Sequence, residues 1–292
     1  MPIRTDNGVL SWLDIGDPHI ARAGEQNHHD LRWIVALAND LPPGSLDFAF
    51  LPGDNADDGT TEQFEWVRAE VAGLGSPLHT YPADLRDGAE RLDVLLARPN
   101  VRCVDRGHTH YNELANDGGT IFMATRSPGQ IEEWSPDFSI AAVDGECVSW
   151  RFKPLNQIWP FVLVTRSADL RLVTGPNQTA GGALPVRAKV IGDVAIQAVE
   201  VSMNDGDWVV MAPVPGEAAL WQASFAVSGG SVRVRARDAR GRQDEDAVYP
   251  ATRGWTPPRC AADGSDRDDV GTRPMKRIFG TQLGPNRNGR KW

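Results

Sequence analysis

The chain has 292 residues, a length typical of a two-domain protein. Acidic residues outnumber basic ones, 39 to 30, and the formal charge of −9 argues against a general nucleic-acid clamp. Charged residues (24%) and hydrophobic residues (41%) occur at ordinary globular levels, which excludes a chain that is disordered throughout.

The cysteines and the amino terminus predict a cytoplasmic protein. Cys103, Cys147 and Cys260 are widely spaced and odd in number, so they match neither a disulfide framework nor a zinc-finger pattern, and a reducing compartment fits best. Residues 1–20 lack the uninterrupted apolar stretch of a secretory signal, and no apolar run is long enough to span a bilayer. We therefore expect no membrane partner.

The first half of the chain alternates strand-like and helix-like patterns. Short apolar runs predict buried strands, while apolar residues at helical spacing, such as Leu31, Ile34 and Val35, predict amphipathic helices. Strand, helix, strand, helix is typical of a layered α/β domain. In chain order the patterns predict a strand at 9–15, a helix at 28–41, a strand at 46–51, helices at 60–71 and 88–98, and strands at 101–105, 120–124, 138–143 and 148–152.

The pattern changes after Pro154, where no helical stripe survives up to Pro250. Short alternating segments predict strands at 185–190, 196–203, 208–212, 220–227 and 232–236. Asn204-Asp205-Gly206 indicates a hairpin between two of them. We expect an all-β sandwich of the immunoglobulin or fibronectin type, and domain boundaries at 1–154 and 155–251.

A tail at 252–292 is rich in Gly, Pro and Arg, and its last part is basic. Such a tail could hold an anionic partner. The alternative is a cationic tail that lies on the acidic body or moves in solvent.

Histidines and aspartates cluster in short motifs, most of them directly after predicted strands. The motifs are Asp17-Pro18-His19, Gly53-Asp54, and Gly107-His108-Thr109-His110, and His79 begins the segment His-Thr-Tyr-Pro. Residues two apart in extended backbone point to one side, and carboxylate with imidazole suits Zn, Mn or Fe. Ligand sites in open α/β sheets lie beyond the carboxyl ends of strands. The candidate metal ligands are Asp17, His19, Asp54, His79, His108 and His110.

This constellation resembles the calcineurin-like metallophosphoesterase family, particularly its bacterial cyclic-nucleotide phosphodiesterase-like branch, over roughly half of the chain. The resemblance implies a two-sheet sandwich with flanking helices and two divalent metal ions (Mn, Fe or Zn) between the sheets. By motif, Asp17, His19 and His110 would bind the first ion, Asp54 would bridge both, and His79 and His108 would bind the second. Two such ions polarise a phosphoryl oxygen and activate a water for in-line attack.

One family element is absent from the chain. The family has a Gly-Asn-His-Asp or Gly-Asn-His-Glu loop, which supplies a metal-binding amide and a histidine that helps to protonate the leaving group. No such tetrapeptide lies between Asp54 and His79. The loss implies a shortened fold with missing core strands, which we expect to be repaired by homo-oligomerisation or by the tail or the sandwich covering the gap. The candidate replacements for the amide ligand are Asn55, Asp57, Asp58 and Asp84.

Three functions follow from these motifs. The first is a metal-dependent phosphoesterase that hydrolyses a small-molecule phosphodiester or phosphomonoester. An acidic protein can bind such an anionic substrate because bound metal ions make the local electrostatic potential positive. The second is a metal- or phosphate-binding module without turnover. The third is a broken enzyme in which only the sandwich works. His79 could equally be an exposed loop histidine, and no residue is assigned as the general acid.

Overall fold

A computed structural model describes residues 8–80, 98, 101–107, 110, 112–116, 119–128, 136–157, 159–178, 182–226, 230–251 and 278–279. The helices are α1 (Gln26–Asn39) and α2 (Thr61–Val71), with 3-10 turns at Leu170–Leu172 and Pro176–Gln178. The strands are β1 (Val9–Asp14), β2 (Phe48–Leu51), β3 (Leu78–Thr80), β4 (Cys103–Arg106), β5 (Glu113–Asn116), β6 (Ile121–Ala124), β7 (Asp137–Asp144), β8 (Cys147–Pro154), β9 (Phe161–Arg166), β10 (Ala183–Ile191), β11 (Ile196–Met203), β12 (Val209–Val210), β13 (Ala212–Pro213), β14 (Leu220–Ala226), β15 (Val232–Asp238), β16 (Gln243–Val248) and β17 (Ile278–Phe279).

Two sheets form the amino-terminal half. The first has the order β3-β2-β1-β7-β8, in which β1, β2 and β3 are parallel and β7 and β8 are antiparallel. The second has the order β17-β5-β6-β4, with β4 parallel to β6. Trp12 and Trp150 of the first sheet belong to the same buried cluster as Ile121 and Met123 of the second. The two sheets therefore pack face to face.

The helices cover the other face of the first sheet. Leu31, Ile34 and Val35 of α1 and Val67 of α2 are buried in one cluster with the outward residues of β1, β2 and β7. Thr60 begins α2 through a capping box with Gln63, which satisfies backbone groups that a helix start leaves unpaired. The layers are thus helices, mixed sheet and second sheet, as the α/β prediction requires.

The carboxyl-terminal half consists of two four-stranded sheets, β13-β14-β10-β9 and β12-β11-β15-β16. All of their pairings are antiparallel. Their facing valines, among them Val186, Val190, Val201 and Val234, form one buried cluster. The all-β half agrees with the prediction at this level, while an immunoglobulin or fibronectin topology stays a prediction.

The predicted hairpin is confirmed, since Asn204 (φ 52°) and Asp205 (φ 56°) turn the chain between β11 and β12. The single strand expected at 208–212 is wrong. The chain forms β12 in one sheet and β13 in the other, and buried Met211 lies at the point where the chain crosses between them.

Several strands were not anticipated from the sequence. They are β3, β5, β9, β16 and β17. The sequence predicts that the tail lies on the acidic body, moves in solvent or covers the gap left by missing strands. Its residues 278–279 extend the second sheet by pairing with β5. Residues 88–97 of the expected helix and the rest of the tail fall outside the described residues. In the described part of the chain, no helix is long and apolar enough to cross a membrane.

The two halves share a buried junction. Phe161, Leu163 and Leu220 of the β half belong to the same apolar cluster as the helices. Beside them, Asp244 of β16 accepts hydrogen bonds from Arg151 of β8 at 2.6 and 3.1 Å and lies 3.1 Å from the Lys153 ammonium. Apolar burial and a buried ion-pair cluster together attach the β half to the mixed sheet.

Candidate metal centre

The candidate ligands lie just after strands of two different sheets, and not along one edge of a single sheet as the sequence predicts. Asp17 and His19 follow β1, Asp54 follows β2, and His110 follows β4. Parallel β1 and β2 bring their following loops together, and the His19 amide donates to the Asp54 carbonyl at 2.9 Å. The sheet topology therefore converts motifs that are distant in sequence into neighbours.

Three of these side chains converge. Nε2 of His19 lies 3.0 Å from Nε2 of His110 and 3.8 Å from Oδ2 of Asp54, and one donor atom of each residue lies within 4.8 Å of the others. Two imidazole nitrogens bound to one tetrahedral ion would be about 3.3 Å apart. The donor types and their spacing thus fit a transition-metal ion.

The backbone of the ligand loops is strained. Asp17, His19, Asp54 and His110 have positive φ values of 26°, 44°, 41° and 53°, and they make up four of the seven non-glycine residues with positive φ in the described ranges. Such conformations cost of order 1–3 kcal/mol each and persist only where the surroundings enforce them. Their concentration at one place points to a functional site.

Asp17 is fully buried, and the glycines on either side of it, Gly16 and Gly107, have no room for a side chain. A Cβ added at Gly107 would lie 2.0 Å from Asp17 Oδ1, and one added at Gly16 would lie 2.1 Å from the Thr125 carbonyl oxygen. The Ser127 hydroxyl donates to the Asp17 carbonyl at 2.6 Å. Gly107 therefore lies directly against the Asp17 carboxylate. Asp17 is not one of the three convergent residues His19, Asp54 and His110.

Two acids that the motifs did not indicate lie beneath the site. Asp14 accepts a hydrogen bond from the Thr125 hydroxyl, and Asp105 accepts one from the Trp12 indole at 2.9 Å. Burial, reinforced by the charge of Asp105, raises the pKa of Asp14 well above its ordinary value. Burial also raises the pKa of Asp105 to about 6. The negative charge of Asp17 raises both pKa values further, so the region between the sheets favours protons or cations.

A buried polar cluster supports the loop that carries His110. Asp137 lies 2.6 Å from the Arg126 guanidinium and accepts a hydrogen bond from the Asn112 amide at 2.9 Å. Asn112 in turn accepts from the Arg126 backbone amide at 2.9 Å. Burial raises the pKa of Asp137 to about 7, against the opposing effect of Arg126. These contacts tie the segment two residues beyond His110 to β7.

The remaining candidate ligands are not brought into this group among the described residues. His79 lies in the edge strand β3, where its ring contacts Phe48 edge-on at 5.0 Å between centroids. His108 lies outside the described residues. A second set of ligands around His79 and His108 stays a prediction.

The possible amide replacements also have defined places. Asn55 donates to the Thr80 hydroxyl at 3.0 Å, and Asp58 accepts from the Gln63 amide at 3.1 Å. Asp57 instead faces His19, with its Oδ1 3.3 Å from the ring Nδ1. Asp84 lies outside the described residues. Of the described residues, neither Asp57 nor Asp58 belongs to the convergent donor group.

Sequence patterns alone missed Asp14, Asp105 and the close contact of Gly107 with Asp17. Asp14 and Asp105 lie within strands, where a buried acid is unusual and is itself a signal of function. The role of Gly107 depends on its distance from Asp17, which no local pattern encodes.

No protein-family model matches the chain, and no curated protein sequence matches it. Among solved structures, it is similar to a conserved uncharacterized protein, described as a predicted phosphoesterase, from Streptococcus pneumoniae TIGR4 (11% identity, TM-score 0.36, covering 51% of this chain and 91% of that chain). It is also similar to Vps29 complexed with zinc from Entamoeba histolytica (14% identity, TM-score 0.31, covering 49% and 91%). A third similarity is to Vacuolar Protein Sorting 29 from Cryptosporidium parvum (12% identity, TM-score 0.29, covering 76% and 100%). Similarities this weak do not establish a family for the chain.

Proposed function

We propose that the protein is a metal-dependent phosphoric ester hydrolase that acts on a phosphodiester or phosphomonoester of a small molecule. The observation that carries the proposal is the convergence of His19, Asp54 and His110 at strand ends. The resemblance of the sequence motifs to metallophosphoesterases supports the same function. A cytoplasmic location is part of the proposal, since Cys103 and Cys147 are free thiols.

In this proposal Asp17, His19 and His110 would hold the first divalent ion, Asp54 would serve both ions, and His79 and His108 would hold the second. Imidazole and carboxylate together favour Zn, Mn or Fe over Ca or Mg. Bound divalent ions would polarise a phosphoryl oxygen and lower the pKa of a water that attacks it. Within the chain, the strained loops fix the donor atoms, and the half-exposed Asp54 side chain (41%) leaves the site open to substrate.

A metal-binding module without turnover is the second candidate. It is favoured by the absence of a Gly-Asn-His-Asp or Gly-Asn-His-Glu tetrapeptide from the chain. It is favoured as well by the position of Asn55, whose amide donates to Thr80. A site that binds metal but lacks an acid for the leaving group would retain the ion and lose the chemistry.

The test combines elemental analysis with hydrolysis of a generic aryl phosphodiester in added Mn or Zn. We expect stoichiometric metal and turnover in the wild type, and loss of both in Asp54→Ala. Glu65→Ala, which removes an exposed acid from α2, is the matched control and should keep both. Metal without turnover would establish the binding module instead, and a protein without metal would refute both candidates.

A further inference from the structure

The outer side of β5 is covered by a short piece of the tail. On one side β6 pairs with β5 over all of its residues. On the other side Ile278 of β17 pairs with Ala115, and Phe279 pairs with Leu114. Strand β17 ends the described sheet there. Without it β5 would be an edge strand, and the unpaired N–H and C=O groups of an edge can pair with another extended segment.

Contacts away from β17 hold β5 in its extended form. The Asn112 side chain, just before β5, donates to the first residue of β7 at 2.9 Å. Leu114 is 4% exposed and belongs to the apolar cluster between the two sheets. The Asn116 side chain, at the end of β5, donates to the carbonyls of Arg171 and Val173 at 2.9 and 3.0 Å. These contacts favour an edge that keeps its shape when β17 leaves it, and a preorganised surface binds a segment at lower entropic cost.

The charge of the tail suits this position. Arg273, Lys276 and Arg277 directly precede β17, and no acidic residue follows Asp269. The whole chain has a formal charge of −9, so the remainder of the protein is more acidic still. Opposite charges attract the tail to the body over about 8–10 Å at ordinary ionic strength. Backbone pairing with a sheet edge then fixes the register of the segment.

We propose that the outer edge of β5 is a preformed docking site for one extended segment, and that its occupant is the basic tail of the same chain. The tail is then a removable strand of the second sheet, held by backbone pairing and by charge. A free peptide with the tail sequence therefore binds the same edge when the tail itself is kept away. The pairing involves no candidate metal ligand, so this proposal does not depend on the proposed function.

Proline at both positions of β17 removes the tail from the edge. Neighbouring residues in an antiparallel strand direct their backbone groups to opposite sides, so one of Ile278 and Phe279 faces β5. The double variant Ile278→Pro, Phe279→Pro deletes that N–H whichever residue carries it, and proline is excluded from such ladders. Asn286→Pro with Asn288→Pro is the matched control, because it places two prolines in the same tail but outside this pair.

The readout is amide hydrogen exchange of the full-length, metal-free protein, resolved by NMR at Leu114 and Ala115. By the same alternation, one of these two amides faces β17 and the other faces β6. In the wild type and in the control variant we expect both amides to exchange slowly. In the variant with prolines in β17, the amide toward β17 should exchange about 10-fold faster, as expected for the loss of one hydrogen bond, while the amide toward β6 stays slow.

A synthetic peptide of residues 272–284, added to the variant with prolines in β17, should restore the slow exchange. The same peptide with proline at the positions of Ile278 and Phe279 keeps the charge, cannot pair, and should not restore it. Because part of the attraction is electrostatic, the affinity of the unmodified peptide should fall as the salt concentration rises.

Unchanged exchange in the variant with prolines in β17 would show that β17 does not hold the edge and would overturn the proposal. Fast exchange at both amides would show that β5 unfolds without the tail, and would overturn the preformed site. Failure of the unmodified peptide to restore protection would overturn an exchangeable site. If the slow exchange of the wild type is lost when the protein is diluted, the occupant is the tail of a second copy, which overturns the assignment to the same chain.

Discussion

Replacing Gly107 by alanine tests whether the packing around Asp17 is as tight as its distances indicate. The added Cβ would lie 2.0 Å from Oδ1 and 2.8 Å from Cγ of Asp17, distances below any ordinary non-bonded contact. To relieve this overlap the carboxylate or the loop must move by about 1 Å. Asp17 is fully buried and its carbonyl is held by Ser127, so the carboxylate has little room to turn away.

The magnitude follows from two opposing effects. Overpacking of a tight interior costs about 1–3 kcal/mol. Replacing glycine by alanine recovers about 0.4–1 kcal/mol by restricting the unfolded chain. We therefore expect Gly107→Ala to lower the free energy of unfolding by about 1–2 kcal/mol, which corresponds to a fall in melting temperature of about 2–8 °C for a domain of this size.

The assay is denaturant unfolding of the metal-free protein, followed by zinc titration of the folded form. Gly175→Ala is the control, because a Cβ there meets no atom within 4 Å. It should be neutral or stabilise the protein by up to about 1 kcal/mol. Equal unfolding midpoints for the two variants would refute the close contact between Gly107 and the Asp17 carboxylate. Unchanged zinc affinity in Gly107→Ala would refute a role for Asp17 as a metal ligand.

Three further perturbations test the site and the junction between the two halves. Because burial raises the pKa of Asp105 to about 6, the folded protein retains a proton that the unfolded chain loses near pH 4, so its free energy of unfolding should fall as pH rises through this window. Asp105→Asn should flatten that dependence in chelator-treated protein, and an unchanged slope would contradict the raised pKa. Asp244→Asn leaves Lys153 buried without its carboxylate and leaves Arg151 with only the more distant Asp246, and should cost about 3 kcal/mol or more in denaturant unfolding. Asp205→Asn, at an exposed ion pair, should cost less than about 1 kcal/mol, and similar costs for the two would refute a buried junction. Finally, zinc or manganese at 100 times its dissociation constant should stabilise chelator-treated protein by about 2.7 kcal/mol, and an unmoved melting temperature would contradict a folded-state metal site.

Local patterns predicted the elements whose stability is decided locally. The α1 stripe of Leu31, Ile34 and Val35 and the Thr60 cap of α2 depend on spacing and side-chain chemistry within one turn, and both helices begin and end within two residues of their expected bounds. In contrast, β16 reads Gln-Asp-Glu-Asp-Ala-Val, an acidic segment with little strand propensity. It forms a strand because it pairs with β15 along its whole length, and Asp244 and Asp246 also accept hydrogen bonds from the Val162 and Val164 amides, about 80 residues away in the chain.

The candidate site divides in the same way. Order along the chain sufficed to associate Asp17, His19, Asp54 and His110 with strand ends, since parallel strands direct their carboxyl ends to one edge. Only the packing of the two sheets decided that His19 and His110, 91 positions apart, meet at 3.0 Å. The same packing places Gly107 against Asp17. Composition and periodicity report what each segment prefers by itself, whereas separations between distant segments depend on strand order, crossovers and close packing, which exist only once the whole chain has folded.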